Sequence, residues 1–294
     1  MSINNRYLMM TILILVFWSS AQAQDDEVIK IDTNLVTVNV SVTDAKNRHL
    51  PGLKAEDFLV TDQGQRVRPE FFDSQGPVSI VFVVDISSSM RAKWNNLRTG
   101  LKRFLAKGHE ASDYTLIAFN EKPRLIASSV SAEQLWQGFN TLKPYGETAL
   151  YDGLLLGLDA LERVPQRHRA LVLLSDGEDN CSHGGLALVQ QETLAHRATI
   201  YPVGILIDQR LSPYQPNGKK LLSELAASTG GFVLFPAPDR IRDVLELISA
   251  DLSNQYSLSY YPPEKAPGWR FVQVNVARNH GRMNVRYQQR YLMR

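Results

Sequence analysis

Ser79-Ile80-Val81-Phe82-Val83-Val84 is apolar on both of its alternating faces. A strand of that kind is stable only when both faces are covered, which places it in the middle of a sheet with helices on each side. From Ser79 to Leu252 short apolar runs alternate with longer amphipathic ones, predicting an α/β domain with a mostly parallel sheet. Asp113–Phe119, Ala170–Leu174, Thr199–Ile205 and Phe232–Phe235 read as its other strands. Helices are predicted over 94–105, 132–142, 150–161, 186–196, 220–227 and 241–252. In the first of these, Leu97, Leu101, Phe104 and Leu105 recur at helical spacing and should face the sheet.

The flanks follow a different rule. Val36, Val38, Val40 and Val42 alternate with Thr37, Asn39 and Ser41, a period of two that predicts a half-buried antiparallel strand. Phe58–Asp62 and Arg66–Phe72 continue the β pattern. Beyond the α/β block, Tyr256–Tyr261, Phe271–Ala277 and Met283–Gln289 alternate again, separated by turns at 262–264 and 279–281. Neither flank has enough strands to stand alone, so the two are expected to pair into one antiparallel β-sandwich, with the α/β domain inserted between its halves. Two unrelated β appendages are the alternative. The expected divisions are 1–23, 24–76, 77–252 and 253–294.

Residues 1–23 read as a secretory signal: Arg6 precedes an apolar run from Leu8 to Phe17, and Ala21-Gln22-Ala23 supplies a small-residue cleavage pattern. Cleavage before Gln24 would deliver a secreted or periplasmic protein. No second apolar segment reaches spanning length, so no membrane span is expected in the mature form. Cys181 is the one cysteine of 294 residues, leaving no internal disulfide for an exported chain. With a net charge of +2 and no long basic run, nothing in the electrostatics points to nucleic acid or an anionic membrane.

Three segments carry oxygen ligands to one edge of the predicted sheet. Asp85-Ile86-Ser87-Ser88-Ser89 follows the first strand, where open α/β sheets bind ligands. Thr148 opens the helix after Gly146-Glu147, and Asp176 ends the run Leu171-Val172-Leu173-Leu174-Ser175. Carboxylates and hydroxyls together make a hard-oxygen shell suited to Mg²⁺, or to Ca²⁺ in a larger cage. Helix capping and dipole complementation would explain any one segment by itself. Three at strand ends, in this order, point to a cation.

This pattern resembles the metal-ion-dependent adhesion site of von Willebrand factor type A domains, over about Pro77 to Leu252. By position, Asp85, Ser87 and Ser89 match the family's D-x-S-x-S element, Thr148 its lone threonine and Asp176 its final aspartate. The amino-terminal β segment, Asp85–Met90 and the signal also resemble a bacterial group of secreted proteins related to that family. The resemblance implies a doubly wound sheet and a bound Mg²⁺ or Mn²⁺. It also implies one coordination position open to an acidic residue of a protein partner. Ser87, Ser89 and Thr148 are expected to ligate directly, with Asp85 and Asp176 binding directly or through water. Glu147, Glu178, Asp179, Asn180 and His183 share these loops but are read as solvated rim, and Asp152 as support for the Thr148 loop or the helix start.

A cation-dependent adhesion or assembly module, not an enzyme, is therefore the expected function. A metal-dependent hydrolase is the first competitor, but neither G-x-x-x-x-G-K-[ST] nor G-x-S-x-G occurs, and Ser87-Ser88-Ser89 has no identifiable partner histidine. A structural envelope protein without metal-dependent binding is the third reading.

Overall fold

A computed structural model of the chain describes residues 35–74, 76–166, 168–205, 216–277 and 283–293. The signal read at 1–23 and the turn at 279–281 lie outside the described residues. The amino-terminal flank forms β1 (Val36–Asp44), β2 (Phe58–Asp62), β3 (Gln65–Val67) and β4 (Phe71–Ser74). The middle of the chain runs β5 (Ser79–Asp85), α1 (Trp94–Ala106), β6 (Asp113–Phe119), β7 (Pro123–Val130), α2 (Ala132–Asn140) and α3 (Leu150–Leu161). It continues through β8 (Arg169–Ser175), α4 (Leu186–Ala195), β9 (Thr199–Gly204), α5 (Pro216–Thr229) and α6 (Ile241–Ser253). The carboxyl-terminal flank supplies β10 (Tyr256–Tyr260), β11 (Gly268–Val276), β12 (Met283–Arg286) and β13 (Arg290–Met293).

The middle segment makes a five-stranded sheet in the order β7-β6-β5-β8-β9, parallel except for β7 at the edge. All of β5 is buried. Ile80, Phe82 and Val84 pack beneath α1, α2 and α6, while Val81 and Val83 pack beneath α3, α4 and α5. Helices on both faces explain why the strand could be apolar throughout.

The two flanks interleave. One four-stranded sheet has the order β12-β1-β10-β4 and the other β13-β11-β2-β3, so each contains strands from both ends of the chain. Their facing side chains form one core, with Val38, Val40, Leu258 and Tyr260 from the first sheet against Phe58, Val60, Val272 and Val274 from the second. The fold class is that expected: a mostly parallel α/β sheet with flanking antiparallel sheets.

Details differ from the pattern reading. The edge strand β7 was not anticipated, because it is only partly buried and carries no clean alternation. Phe232–Phe235 contributes a single bridge, Val203 to Leu234, in place of a strand. Arg66–Phe72 divides into β3 and β4, which join different sheets. The polar face of β1 is buried with its apolar face, since Asn39, Ser41 and Thr43 are all covered. The α/β layer covers it: Ser41 Oγ donates to Asp251 of α6 at 2.7 Å.

Candidate functional site

Sheet order changes direction at β5, since the chain adds β6 and β7 on one side of it and then β8 and β9 on the other, and open sheets bind ligands at such a switch point. Asp85 is the last residue of β5 and is fully buried there. Its Oδ1 accepts the Ser87 backbone N–H at 2.8 Å and its Oδ2 accepts the Ser175 hydroxyl at 2.9 Å. The Ser87 and Ser89 hydroxyls lie 3.1 Å apart, and Ser89 Oγ donates to Asp176 Oδ2 at 2.7 Å. Four of the five residues picked from the sequence thus share one hydrogen-bonded cluster. Thr148 joins through its backbone.

Three loops are laced into a ring around these side chains. Ser88 N–H donates to the Gly146 carbonyl at 3.0 Å, tying the Asp85 loop to the Thr148 loop. Asn180 N–H donates to the Thr148 carbonyl at 2.9 Å, and Thr148 N–H donates back to Asn180 Oδ1 at 2.8 Å, tying the Thr148 loop to the Asp176 loop. The Ser89–Asp176 bond closes the circle. Gly177 makes the turn possible: its φ is +84°, and a Cβ there would stand 3.0 Å from the Gly218 backbone.

The hydroxyls are not spent on capping. A short 3₁₀ segment, Ser88–Lys93, intervenes before α1, and the Ser87 side chain makes no cap bond to it. The N-cap of α3 is Ala149, so Thr148 stands outside the helix. Asp152 accepts the His183 and Gly184 N–H groups at 3.0 and 2.7 Å, bracing the loop beyond Asp176.

Burial pushes the Asp85 carboxyl up to about 6, and the neighbouring Asp176 charge pushes in the same direction. Burial also raises Glu178, again with Asp176 contributing. Among the described residues neither Asp85 nor Asp176 has an ion-pair partner within 4 Å. Two buried like charges amid hydroxyls form a hard-oxygen set that a divalent cation would relieve, so these residues fit Mg²⁺ or Mn²⁺. Among the described residues no three His, Cys, Asp or Glu side chains cluster, so a cation here would depend on hydroxyl ligands.

Sequence reading missed three contributors. Ser175 donates to Asp85 while accepting Gly177 N–H at 3.0 Å, and nothing marks it within an apolar strand. Asn180, taken for solvated rim, locks the Thr148 loop. Lys93 is buried beneath the site, although a lysine so close to a helix start reads as exposed.

A family profile described as von Willebrand factor type A domain matches residues 80–178. No curated protein matches the chain. Among solved structures, proximal thread matrix protein 1 from the mussel byssus is 16% identical with a TM-score of 0.52, over 64% of this chain and 49% of that one. This chain therefore spans about half the length of the mussel protein. A von Willebrand factor type A protein from Catenulispora acidiphila is 12% identical with a TM-score of 0.50, over 88% of this chain and 72% of that one. The pilus adhesin SpaC from Lactobacillus rhamnosus GG, in an open conformation, is 16% identical with a TM-score of 0.51, over 71% of this chain and 36% of that one. At these identities the likeness is one of fold.

Proposed function

Since the chain carries a von Willebrand factor type A domain, we propose that it is an exported adhesion or assembly module that grips an acidic residue of a protein partner through a divalent cation. The observation that supports this most is the closed ring of three loops, which gathers Asp85, Ser87, Ser89 and Asp176 at the sheet's switch point. Ser87, Ser89 and Thr148 would hold the ion directly, with Asp85 and Asp176 directly or through water. Bound there, the ion supplies Lewis acidity toward an incoming carboxylate. The pilus adhesin among the fold's neighbours makes protein capture a natural use of such a domain.

Binding is favoured over turnover by how the hydroxyls are committed. Ser87 and Ser89 bond to each other and Ser89 also to Asp176, and among the described residues no histidine bonds to either serine. Neither hydroxyl therefore has the Ser–His pairing that commonly activates a serine nucleophile. Among the described residues no helix is long and apolar enough to cross a membrane.

The test is a Mg²⁺-dependent pull-down from the source organism's envelope and medium, run with the wild type and with Asp85→Ala. Capture that survives the substitution or chelation rejects the cation-bridged reading. A phosphatase or peptidase activity that disappears with Asp85→Ala would favour the hydrolase instead. The proposed signal is checked by amino-terminal sequencing of exported protein, which should begin at Gln24.

A further inference from the structure

Lys93 lies at the end of the 3₁₀ segment that carries Ser89, and only 4% of it is exposed. Its Nζ donates to the carbonyl of Ile205, just past β9, and the Ile205 N–H in turn donates to the Ser175 carbonyl at 2.9 Å. The ammonium is thereby fixed below the strand ends that present Asp85 and Asp176. Among the described residues no carboxylate lies within ion-pair distance of it. Burial pulls its pKa down, while the charges of Asp176, Asp85 and Glu178 pull it back up.

A buried charge without an ion pair is costly and is retained only where something offsets it. Here the offset is the field of Asp176 and Asp85, with the partly exposed Glu178 adding to it. We propose that Lys93 is a built-in counter-charge of the cation site, which weakens the resting affinity for a divalent ion and leaves the loaded site in need of an anionic ligand. This rests on the cation reading above. The two carboxylates proposed to hold the ion and the one ammonium sum to −1, the partly exposed Glu178 being screened by solvent, so a divalent ion brings these groups to +1. A carboxylate from outside then restores neutrality. Without Lys93 the ion and the two aspartates would already be neutral, and the attraction for an incoming acid would be weaker. Lys93 is too buried to touch a partner itself, so it acts as a positioning and charge-setting residue.

The test is calorimetric titration of the full chain with Mn²⁺, with and without acetate as the carboxylate probe, on wild type, Lys93→Gln, Lys93→Met and Asp176→Ala. Gln can still donate to the Ile205 carbonyl, whereas Met can neither donate nor carry charge. Both Lys93 variants should bind Mn²⁺ at least about tenfold more tightly than wild type, as removal of a nearby buried positive charge predicts, and acetate should enhance their Mn²⁺ binding less than it does in wild type. If Lys93→Gln binds Mn²⁺ with wild-type affinity or weaker, the counter-charge role is overturned. If Gln behaves as wild type while Met alone loses binding, Lys93 is a structural donor to Ile205 and the proposal fails. Absence of Mn²⁺ binding by the wild type, unchanged in Asp176→Ala, would overturn the cation reading itself.

Discussion

Ser175 has its hydroxyl shared between two tasks, donating to Asp85 and accepting from Gly177 N–H. Ser175→Ala leaves a buried carboxylate oxygen and a buried N–H each short of a partner, costing about 1–3 kcal/mol. Urea denaturation should show that loss, together with weaker Mn²⁺ binding. At the centre of the site, Asp176→Ala should abolish the rise in melting temperature on adding Mg²⁺, which reflects a stabilisation of about 2.7 kcal/mol at a hundredfold excess over Kd. A chelator should reverse the same rise in the wild type. His168 sets a pH response away from the site. Burial holds it below its ordinary value of 6.5, and its Nε2 bonds to Gln255 Oε1 at 2.7 Å. The unfolded chain therefore takes up a proton that the folded chain resists. Stability from this residue is present above 6.5 and is lost as the pH falls through the lower, folded value. Melting temperature should drop from about pH 7 to pH 5, and His168→Gln should flatten that drop. An equal drop in the variant would place its source elsewhere.

Helix α3 starts two residues after Thr148, so its seating on the sheet sets where the Thr148 loop lies. Gly157 is the point of closest approach: a Cβ there would meet Val83 Cγ2 at 2.5 Å and Leu171 Cδ1 at 3.1 Å. Ala is the better helix former by about 1 kcal/mol, but overpacking of a close-packed core costs roughly 1–3 kcal/mol. Gly157→Ala should therefore be net destabilising in urea, with reduced Mg²⁺ response because the helix start is displaced. A stabilised variant would show that the helix can lift without cost. Element boundaries follow the same contest between local pattern and neighbours. Phe232–Phe235 has the apolar run of a strand, yet only Leu234 bridges to Val203, and the chain passes through a 3₁₀ turn at Pro238–Arg240 into α6.

The two ends of the chain are joined to the α/β layer through one buried carboxylate. Asp251 of α6 accepts from Ser41 on β1, from Tyr201 on β9 and from Arg286 on β12, each at 2.7 Å. Arg286→Met removes a charge-assisted bond and should cost about 1.5–3 kcal/mol, read as a lower urea midpoint for a single transition. Strand β10 lies between β1 and β4 in its sheet, so without the carboxyl-terminal strands those two lose their partner and only the short β2–β3 hairpin is left, which is marginal alone. A chain ending at Ser253 should accordingly lose protease resistance in its amino-terminal flank.

The sequence by itself determined the covered central strand, the helices on its two faces and the oxygen-bearing side chains at the strand ends. Those features are local: the apolar run of β5, the helical spacing of Leu97, Leu101 and Phe104, and the Asp-x-Ser-x-Ser spacing each depend on neighbours a few residues away. What only the tertiary structure decided depends on partners distant in sequence. Ser41 and Asn39 have the polarity of a solvated face and are buried among partners more than two hundred residues later, Asp251 of α6 for Ser41 and Ser257 of β10 for Asn39. The pairing of β1 with both β10 and β12 turned two flanks of unequal pattern into interleaved sheets. Lys93 and Ser175 entered the site for the same reason. A lysine side chain has no sequence signal for burial, and only the convergence of β5, β8 and β9 puts its charge beneath two aspartates.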